Sequence, residues 1–285
     1  MSPPLVELGG AGPPLHLAPA NSFPLDTYRF LMEPLLGRFR VVALPPEALW
    51  PDRGPAPAEP GSWETMGEGL AAAMVHYDLR DVLAVGHSFG AVVSLVAAAR
   101  RPERFRGLVM LDPTMLLQAQ LDQRIGPNGD GVARHLFAAR ARDRRSEFDS
   151  EPAAFEYWRP RSLFRDWSDD ALWQYVRSAL KPARDGNGFT LVWPPAWEAH
   201  YYESLYEESW RELDRLDPGL PVLVIRGGTT EVFLPEAAER FRMARPSATV
   251  VDLPGLGHLF PLVAPEQTAR IITDWASARS LRPTG

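Results

Sequence analysis

Residues 82–93 read Val82-Leu83-Ala84-Val85-Gly86-His87-Ser88-Phe89-Gly90-Ala91-Val92-Val93, an apolar run that passes through Gly-x-Ser-x-Gly into a helix-forming segment. This order predicts a nucleophile elbow, a sharp strand-to-helix turn that exposes a serine hydroxyl above a sheet. Gly86 and Gly90 flank the serine where a side chain would meet the neighbouring turn, which favours this interpretation over a chance match. Ser88 is therefore the candidate nucleophile, and the Phe89 backbone N–H is a candidate donor to a developing oxyanion.

Composition narrows the class of protein. The chain has 285 residues, of which 45% are hydrophobic and 23% charged, as expected for a globular protein. A formal net charge of −6 argues against a nucleic-acid partner. The absence of cysteine excludes disulfides and thiol nucleophiles. No signal peptide or long apolar stretch is visible, so we expect a cytoplasmic protein that acts on a small molecule, without a membrane partner, cofactor or metal.

Short apolar runs alternate with helical segments along much of the chain. The predicted strands are Leu15 to Ala18, Phe39 to Leu44, Val82 to Val85, Leu108 to Leu111, Val222 to Ile225 and Thr249 to Leu253. The predicted helices are Leu25 to Leu36, Trp63 to Tyr77, Ser88 to Arg100, Pro235 to Met243 and Pro265 to Ala278. This alternation predicts an α/β fold with a mostly parallel central sheet and helices on both of its faces.

The alternation stops between residues 115 and 213, where helices and loops are predicted. Six of the nine tryptophans lie in this stretch, which we interpret as a helical cap inserted into a core formed by residues 1–114 and 214–285. Most of its aromatic side chains are expected to form the hydrophobic core of the cap, although some would suit a substrate pocket. Its arginine-rich segment, Arg134 to Arg145, could steer anions, but the acidic residues that follow favour a solvated helix.

A serine hydroxyl needs a general base, and His258 is the best placed of the six histidines. It follows the last predicted strand on the Gly-rich loop Gly255-Leu256-Gly257-His258, at the carboxyl edge of the sheet where Ser88 also lies. His87 is excluded because neighbouring side chains at an elbow point apart. The other four histidines fall within or beside predicted strands and helices.

Two acidic residues compete to orient His258. Glu231 follows the strand Val222 to Ile225 and its Gly-Thr loop, and Asp112 follows the strand Leu108 to Leu111. Both strands end at the edge that carries Ser88. Because Asp112-Pro113 also reads as a turn that caps the next helix, we favour Glu231 as the triad acid and keep Asp112 as the alternative.

The elbow, the Arg226-Gly227-Gly228 strand exit with Glu231, and the His258 loop together resemble the α/β-hydrolase superfamily over essentially the whole core. This resemblance implies that the loop after the first predicted strand supplies the second oxyanion-hole N–H, and by analogy we assign Asn21. Two positions depart from the family pattern. Pro19 replaces the usual histidine of a His-Gly pair, and Glu231 stands where aspartate is commoner.

These features predict a serine hydrolase that cleaves a small, moderately apolar carboxylic ester through an acyl-enzyme on Ser88. The same triad could instead act on a carbon–carbon bond or a peptide, or transfer an acyl group to an alcohol. A binding protein that retains the fold without turnover is a third alternative.

Overall fold

The computed structural model describes residues 3–125, 132–204 and 206–279, without the side chains of residues 123–125 and 132–135. Its strands, in chain order, are β1 (Val6–Gly9), β2 (Pro14–Ala18), β3 (Arg40–Ala43), β4 (Val82–His87), β5 (Phe105–Leu111), β6 (Glu147–Phe148), β7 (Leu180–Pro182), β8 (Phe189–Leu191), β9 (Val222–Gly227) and β10 (Thr249–Leu253).

Seven of these strands form the main sheet, in the order β1-β3-β2-β4-β5-β9-β10. Only β1 is antiparallel to its neighbour, β3; the other neighbouring pairs are parallel. The predicted fold class and each of the six predicted strands are confirmed, and β1 is an addition at the edge of the sheet. The elbow strand β4 lies at the centre, with β2 on one side and β5 on the other.

Helices occupy both faces of the sheet, as predicted. In chain order the described α-helices are α1 (Arg29–Met32), α2 (Trp63–His76), α3 (Phe89–Arg100), α4 (Gln118–Ile125), α5 (Val132–Arg142), α6 (Glu151–Trp158), α7 (Asp169–Ala179), α8 (Pro195–Glu203), α9 (Glu212–Arg215), α10 (Pro235–Ala244), α11 (Phe260–Val263) and α12 (Pro265–Ala278).

Alternate residues of β4 show why the sheet needs a cover on each face. Leu83 and Val85 belong to one hydrophobic cluster, which includes Ile272 of α12. Ala84 belongs to a second cluster, which includes Val92 of α3. Successive side chains of a strand point to opposite faces, so a strand that is apolar throughout must be buried on both.

The elements from α4 to α9 lie in the chain between β5 and β9, and they include a small antiparallel sheet in the order β6-β8-β7. The sequence predicted only helices and loops here. Strands of two or three residues are too short to show an alternating pattern, which explains the omission. The division of the chain at residues 115 and 213 stays a prediction.

Aromatic residues join this segment to the core. The Phe23 ring, on the loop after β2, lies 6.2 Å from the Trp167 ring and 5.7 Å from the Tyr175 ring, measured between centroids. All three side chains are buried in the same cluster. Most of the predicted cap tryptophans are likewise buried, as the packing interpretation expected. Across residues 3–125, 132–204 and 206–279, no helix has both the length and the apolar character needed to cross a bilayer.

Candidate active site

Ser88 occupies a sharp turn between β4 and α3. Its backbone has φ 58° and ψ −121°, a left-handed conformation that few residues other than glycine adopt. Its N–H donates to the Leu111 carbonyl at 2.9 Å, which anchors the turn to β5. A Cβ at Gly86 would lie 2.5 Å from the Ala91 Cα, and one at Gly90 would lie 2.5 Å from the Ala18 carbonyl oxygen. Both positions therefore require glycine, as the sequence indicated.

His258 lies beside the serine, on the loop between β10 and α11. Its Nε2 is 3.0 Å from Ser88 Oγ, within hydrogen-bond distance for a general base. The His258 side chain is about one quarter exposed, at 26%. The structure thus brings together the two residues that the sequence selected as nucleophile and base.

The acid beside His258 is Asp112, and the expectation of Glu231 in this place was wrong. Asp112 Oδ2 lies 2.6 Å from His258 Nδ1, and the Asp112 carboxylate is fully buried. Glu231 is exposed and lies at the wall of the adjacent cavity. Its backbone carbonyl accepts a hydrogen bond from the Gln120 side chain at 3.3 Å.

The last residue of β9 and the loop that follows it, which was expected to supply the acid, instead supply donors to Asp112. The Gly227 N–H donates to Asp112 Oδ1 at 2.9 Å, and the Thr230 hydroxyl donates to Asp112 Oδ2 at 2.6 Å. Asp112 itself has φ 43°, and its N–H donates to the Ile225 carbonyl at 2.8 Å. Three donors, counting His258 Nδ1, therefore satisfy the buried carboxylate oxygens.

Thr114 was not identified from the sequence, although it touches the nucleophile. Its Oγ1 lies 3.0 Å from Ser88 Oγ, and its N–H donates to the Ser88 carbonyl at 3.3 Å. The only available signal was its place two residues after Asp112, in a turn at the carboxyl edge of the sheet. Ser88 Oγ can accept from the threonine while it donates to His258, since a hydroxyl both donates and accepts.

The residues of the two candidate oxyanion donors, Asn21 and Phe89, line the same cavity as Ser88. The Phe89 N–H is at the first position of α3, and neither it nor the Asn21 N–H has a backbone or side-chain acceptor among the described residues. The preceding N–H, that of Ala20, donates to the Tyr28 hydroxyl at 2.9 Å. The Asn21 side chain is held away from this role, because its amide donates to the Glu198 carbonyl at 3.0 Å.

A cavity of about 780 Å³ opens above Ser88 and His258. Its wall combines core residues with aromatic residues of the inserted segment, among them Tyr157, Trp158 and Tyr175. This volume falls in the range of small-molecule sites. A part of the aromatic residues from 115 to 213 therefore faces a pocket in addition to filling the hydrophobic core.

Four arginines also line the cavity, namely Arg140, Arg144, Arg145 and Arg161. Arg144 is paired with the Glu198 carboxylate and donates to the Tyr175 hydroxyl at 3.0 Å. No described carboxylate forms an ion pair with the other three. The side chains of Arg134 and His135 lie outside the described residues.

Aromatic rings support two of the unpaired arginines. The Arg161 guanidinium carbon lies 4.3 Å from the centroid of the Tyr157 ring, and that of Arg145 lies 4.7 Å from the Phe148 ring. Such cation–π contacts hold a guanidinium without neutralising it. Among the described residues, no group of three or more His, Asp or Glu side chains is arranged to hold a metal ion.

A comparison with family models matches residues 20–265 to the alpha/beta hydrolase fold. This chain belongs to that family. A curated relative, the 2-(acetamidomethylene)succinate hydrolase of Mesorhizobium japonicum, is 27% identical to this alpha/beta hydrolase over 196 residues. That match spans 68% of this chain and 63% of the relative, which is less than two thirds of the relative's length.

Solved structures of the same family superpose over nearly the whole chain. A crystal structure of E-2-(acetamidomethylene)succinate hydrolase gives a TM-score of 0.79 at 23% identity, covering 96% of this chain and 94% of that one. A thermophilic esterase from Thermogutta terrifontis, studied with malate bound, gives 0.66 at 20% identity, covering 98% and 94%. The resemblance drawn from the elbow and the His258 loop is thereby confirmed at the level of family and fold.

Proposed function

We propose that this alpha/beta hydrolase is a serine hydrolase that forms an acyl-enzyme on Ser88, with His258 as its base and Asp112 as the acid of the triad. The observation that carries the proposal is the continuous chain from Asp112 Oδ2 through His258 to Ser88 Oγ, with distances of 2.6 and 3.0 Å. Serine hydrolases on unrelated folds use the same three groups in the same order of contact.

The geometry supports the following steps. His258 Nε2 removes the proton from Ser88 Oγ as that oxygen attacks the carbonyl carbon of the substrate. The resulting tetrahedral intermediate collapses, and the imidazolium returns the proton to the leaving oxygen or nitrogen. Water, activated in turn by His258, then cleaves the acyl-enzyme and releases the acid. Asp112 holds Nδ1–H of His258 throughout, which fixes the tautomer and stabilises the imidazolium.

Stabilisation of the oxyanion is assigned to the Phe89 and Asn21 backbone amides. Both N–H groups are unpaired among the described residues, whereas the Ala20 N–H is already used by Tyr28 and Pro19 has none. Asn21 is thus the first residue of this loop whose N–H is available to a ligand. Removal of one such donor typically slows a reaction by about 10²- to 10³-fold.

We further propose that the substrate is a small ester or amide that carries a carboxylate. Arg140, Arg145 and Arg161 leave positive charge at the cavity, while Glu231 is the only lining carboxylate besides the paired Glu198 among the described residues. Arginine suits planar recognition of a carboxylate. The name of the curated relative specifies a succinate derivative, and the esterase from Thermogutta terrifontis was studied with malate bound. These names support a carboxylate-bearing substrate more than the small, moderately apolar ester expected from the sequence.

The acyl-enzyme is tested with p-nitrophenyl esters from acetate to decanoate and with a fluorophosphonate probe, using the unmodified protein and Ser88→Ala. We expect turnover and stoichiometric labelling in the unmodified protein and neither in the variant, with the labelled peptide containing Ser88. Folded protein that neither turns over an ester nor reacts with the probe would contradict the proposal and favour a binding role.

The substrate class is tested by comparing p-nitrophenyl hemisuccinate with p-nitrophenyl pentanoate, which has a chain of similar length without the charge. A charge-assisted hydrogen bond to arginine predicts a kcat/KM about 10-fold higher for the hemisuccinate. Arg161→Gln should reduce this ratio, while Arg165→Gln, which removes an exposed charge outside the cavity wall, should not. An equal preference for the two esters in the unmodified protein would contradict the carboxylate assignment.

A further inference from the structure

Tyr28 and His87 are fully buried and take no part in the steps above. Their side chains connect the loop after β2, which carries Asn21 and is called the oxyanion loop below, to the His258 loop. The Tyr28 hydroxyl lies 2.7 Å from His87 Nδ1, and it also accepts the Ala20 N–H at 2.9 Å. His87 Nε2 lies 3.0 Å from the His258 backbone carbonyl oxygen. Tyr28 and His87 each have no exposed surface.

The donors and acceptors in this chain admit one consistent direction. A backbone carbonyl only accepts, so His87 Nε2 carries the proton and donates to the His258 carbonyl. His87 Nδ1 must then accept, and the Tyr28 hydroxyl donates to it. Tyr28 Oη in turn accepts from the Ala20 N–H, so all four groups are satisfied.

The protonation states agree with this direction. Burial, followed by the nearby His258 ring, holds the pKa of His87 well below its usual value, so the imidazole stays neutral. Burial also raises the pKa of Tyr28, so its hydroxyl keeps the proton that it donates. The rings of His87 and His258 are 5.1 Å apart between centroids, close enough for a charged His87 to oppose formation of the His258 imidazolium.

We propose that Tyr28 and His87 are positioning residues that hold the oxyanion loop and the His258 loop in register across β4. This inference rests on the proposed hydrolase function. By accepting the Ala20 N–H, Tyr28 fixes the Pro19–Ala20 peptide, which directly precedes the peptide that carries the Asn21 N–H. By donating to the His258 carbonyl, His87 fixes the backbone from which the catalytic imidazole projects.

Tyr28→Phe removes the hydroxyl that links the Ala20 N–H to His87 Nδ1 and preserves the ring. Tyr201→Phe is the matched control, because the Tyr201 hydroxyl is also buried and also accepts a backbone N–H, that of Ala48, at 3.1 Å. We expect Tyr28→Phe to lower kcat for p-nitrophenyl butyrate by about 10- to 100-fold with little change in KM, up to the limit set by loss of one oxyanion donor. Tyr201→Phe should lower the melting temperature by about as much as Tyr28→Phe does, while its kcat should stay within about twofold of that of the unmodified protein.

Nitrogen-15 NMR of the histidine side chains supplies a readout that is independent of turnover. In the unmodified protein at pH 7 we expect His87 to be the neutral tautomer protonated at Nε2, because burial lowers its pKa and Nε2 faces the His258 carbonyl. Tyr28→Phe should shift the resonances of His87 and His258, while Tyr201→Phe should leave both in place.

Either of two results would refute the positioning role of Tyr28 and His87. One is a His87 protonated at Nδ1 in the unmodified protein. The other is a Tyr28→Phe variant that matches Tyr201→Phe in kcat and in the His258 resonances. If the unmodified protein shows neither turnover nor fluorophosphonate labelling, the proposed function fails instead, and the tautomer of His87 still tests the hydrogen-bond chain.

Discussion

Replacing Asp112 by asparagine is expected to slow turnover by about 10⁴-fold, or ~5 kcal/mol of transition-state stabilisation. The structure indicates the reason. Asp112 Oδ1 faces the Gly227 N–H, while Oδ2 faces the Thr230 hydroxyl and His258 Nδ1. An asparagine must place its NH₂ group at one of these two positions, and either orientation disrupts the hydrogen bonds that the carboxylate accepts.

With the NH₂ group facing Gly227, two donors oppose each other in a buried site, at a cost of about 1–3 kcal/mol for the unpaired N–H. With the NH₂ group at the other position, its two hydrogens can reach the Thr230 hydroxyl and His258 Nδ1, while the carbonyl oxygen keeps the Gly227 N–H. The second orientation preserves more hydrogen bonds and is therefore expected. It forces the proton of His258 onto Nε2, which can then no longer accept the proton of Ser88.

The assay is kcat for p-nitrophenyl butyrate in the unmodified protein, Asp112→Asn and Glu231→Gln, each checked for a cooperative thermal transition. Glu231→Gln removes the same charge from an exposed side chain and should change kcat by less than about threefold. The assignment of Asp112 is refuted if folded Asp112→Asn keeps kcat within about 10-fold of the unmodified protein, or if Glu231→Gln loses as much as Asp112→Asn.

Three further outcomes are expected. Thr114→Val removes the hydroxyl that contacts Ser88 Oγ, and loss of one hydrogen bond should lower kcat/KM for p-nitrophenyl butyrate by about fivefold; an unchanged value would refute a role in positioning the serine. Gly90→Ala places a Cβ 2.5 Å from two backbone oxygens and should lower the free energy of unfolding in urea by about 2–3 kcal/mol, whereas Gly69→Ala, which meets nothing within 4 Å on helix α2, should not lower it. Burial lowers the pKa of His16 to about 3, so the folded state resists its protonation and stability falls as the pH drops below about 6.5. Urea unfolding should therefore show that the free energy of unfolding decreases from pH 7 to pH 5 by about 2 kcal/mol less in His16→Gln than in the unmodified protein. Equal decreases in the two proteins would contradict the lowered pKa.

Those parts of the molecule that depend on local pattern could be predicted from the sequence. Three features of the site could be predicted in this way: the strand before Ser88, the two glycines around it and the Gly-rich loop before His258. In each, the residue types match what the local backbone requires, as the tight contacts at Gly86 and Gly90 and the positive φ of Ser88 illustrate. The six buried strands were visible because a strand covered on both faces is apolar throughout. The edge strand β1 has only partly buried and exposed residues, and that pattern did not distinguish it from a loop.

The choice of acid depended on long-range packing that no local pattern reports. Asp112 and Glu231 both follow strands that end at the site, and the turn expected at Asp112-Pro113 counted against the residue that the structure selects. What separates them is the order of the sheet, because β5 lies directly between β4 and β9. Asp112 therefore emerges next to Ser88 and within reach of the donors at the end of β9, whereas Glu231 lies four residues beyond Gly227 on an exposed loop.

This arrangement separates the proposed triad from the residues that we propose select the substrate. Ser88 and Asp112 each follow the last residue of a central strand, and His258 follows the last strand by a loop that packs against Gly227. Their distances are therefore set by the sheet, whose strands cannot shift without breaking the parallel ladders. The four arginines of the cavity and several of its aromatic rings, among them Tyr157 and Trp158, belong to the inserted segment between β5 and β9, which supplies no strand of that sheet. Substitutions there can change charge and shape around the substrate while the triad stays in place, so Arg161→Gln should alter the ratio between charged and neutral esters and leave kcat for the neutral ester within about twofold.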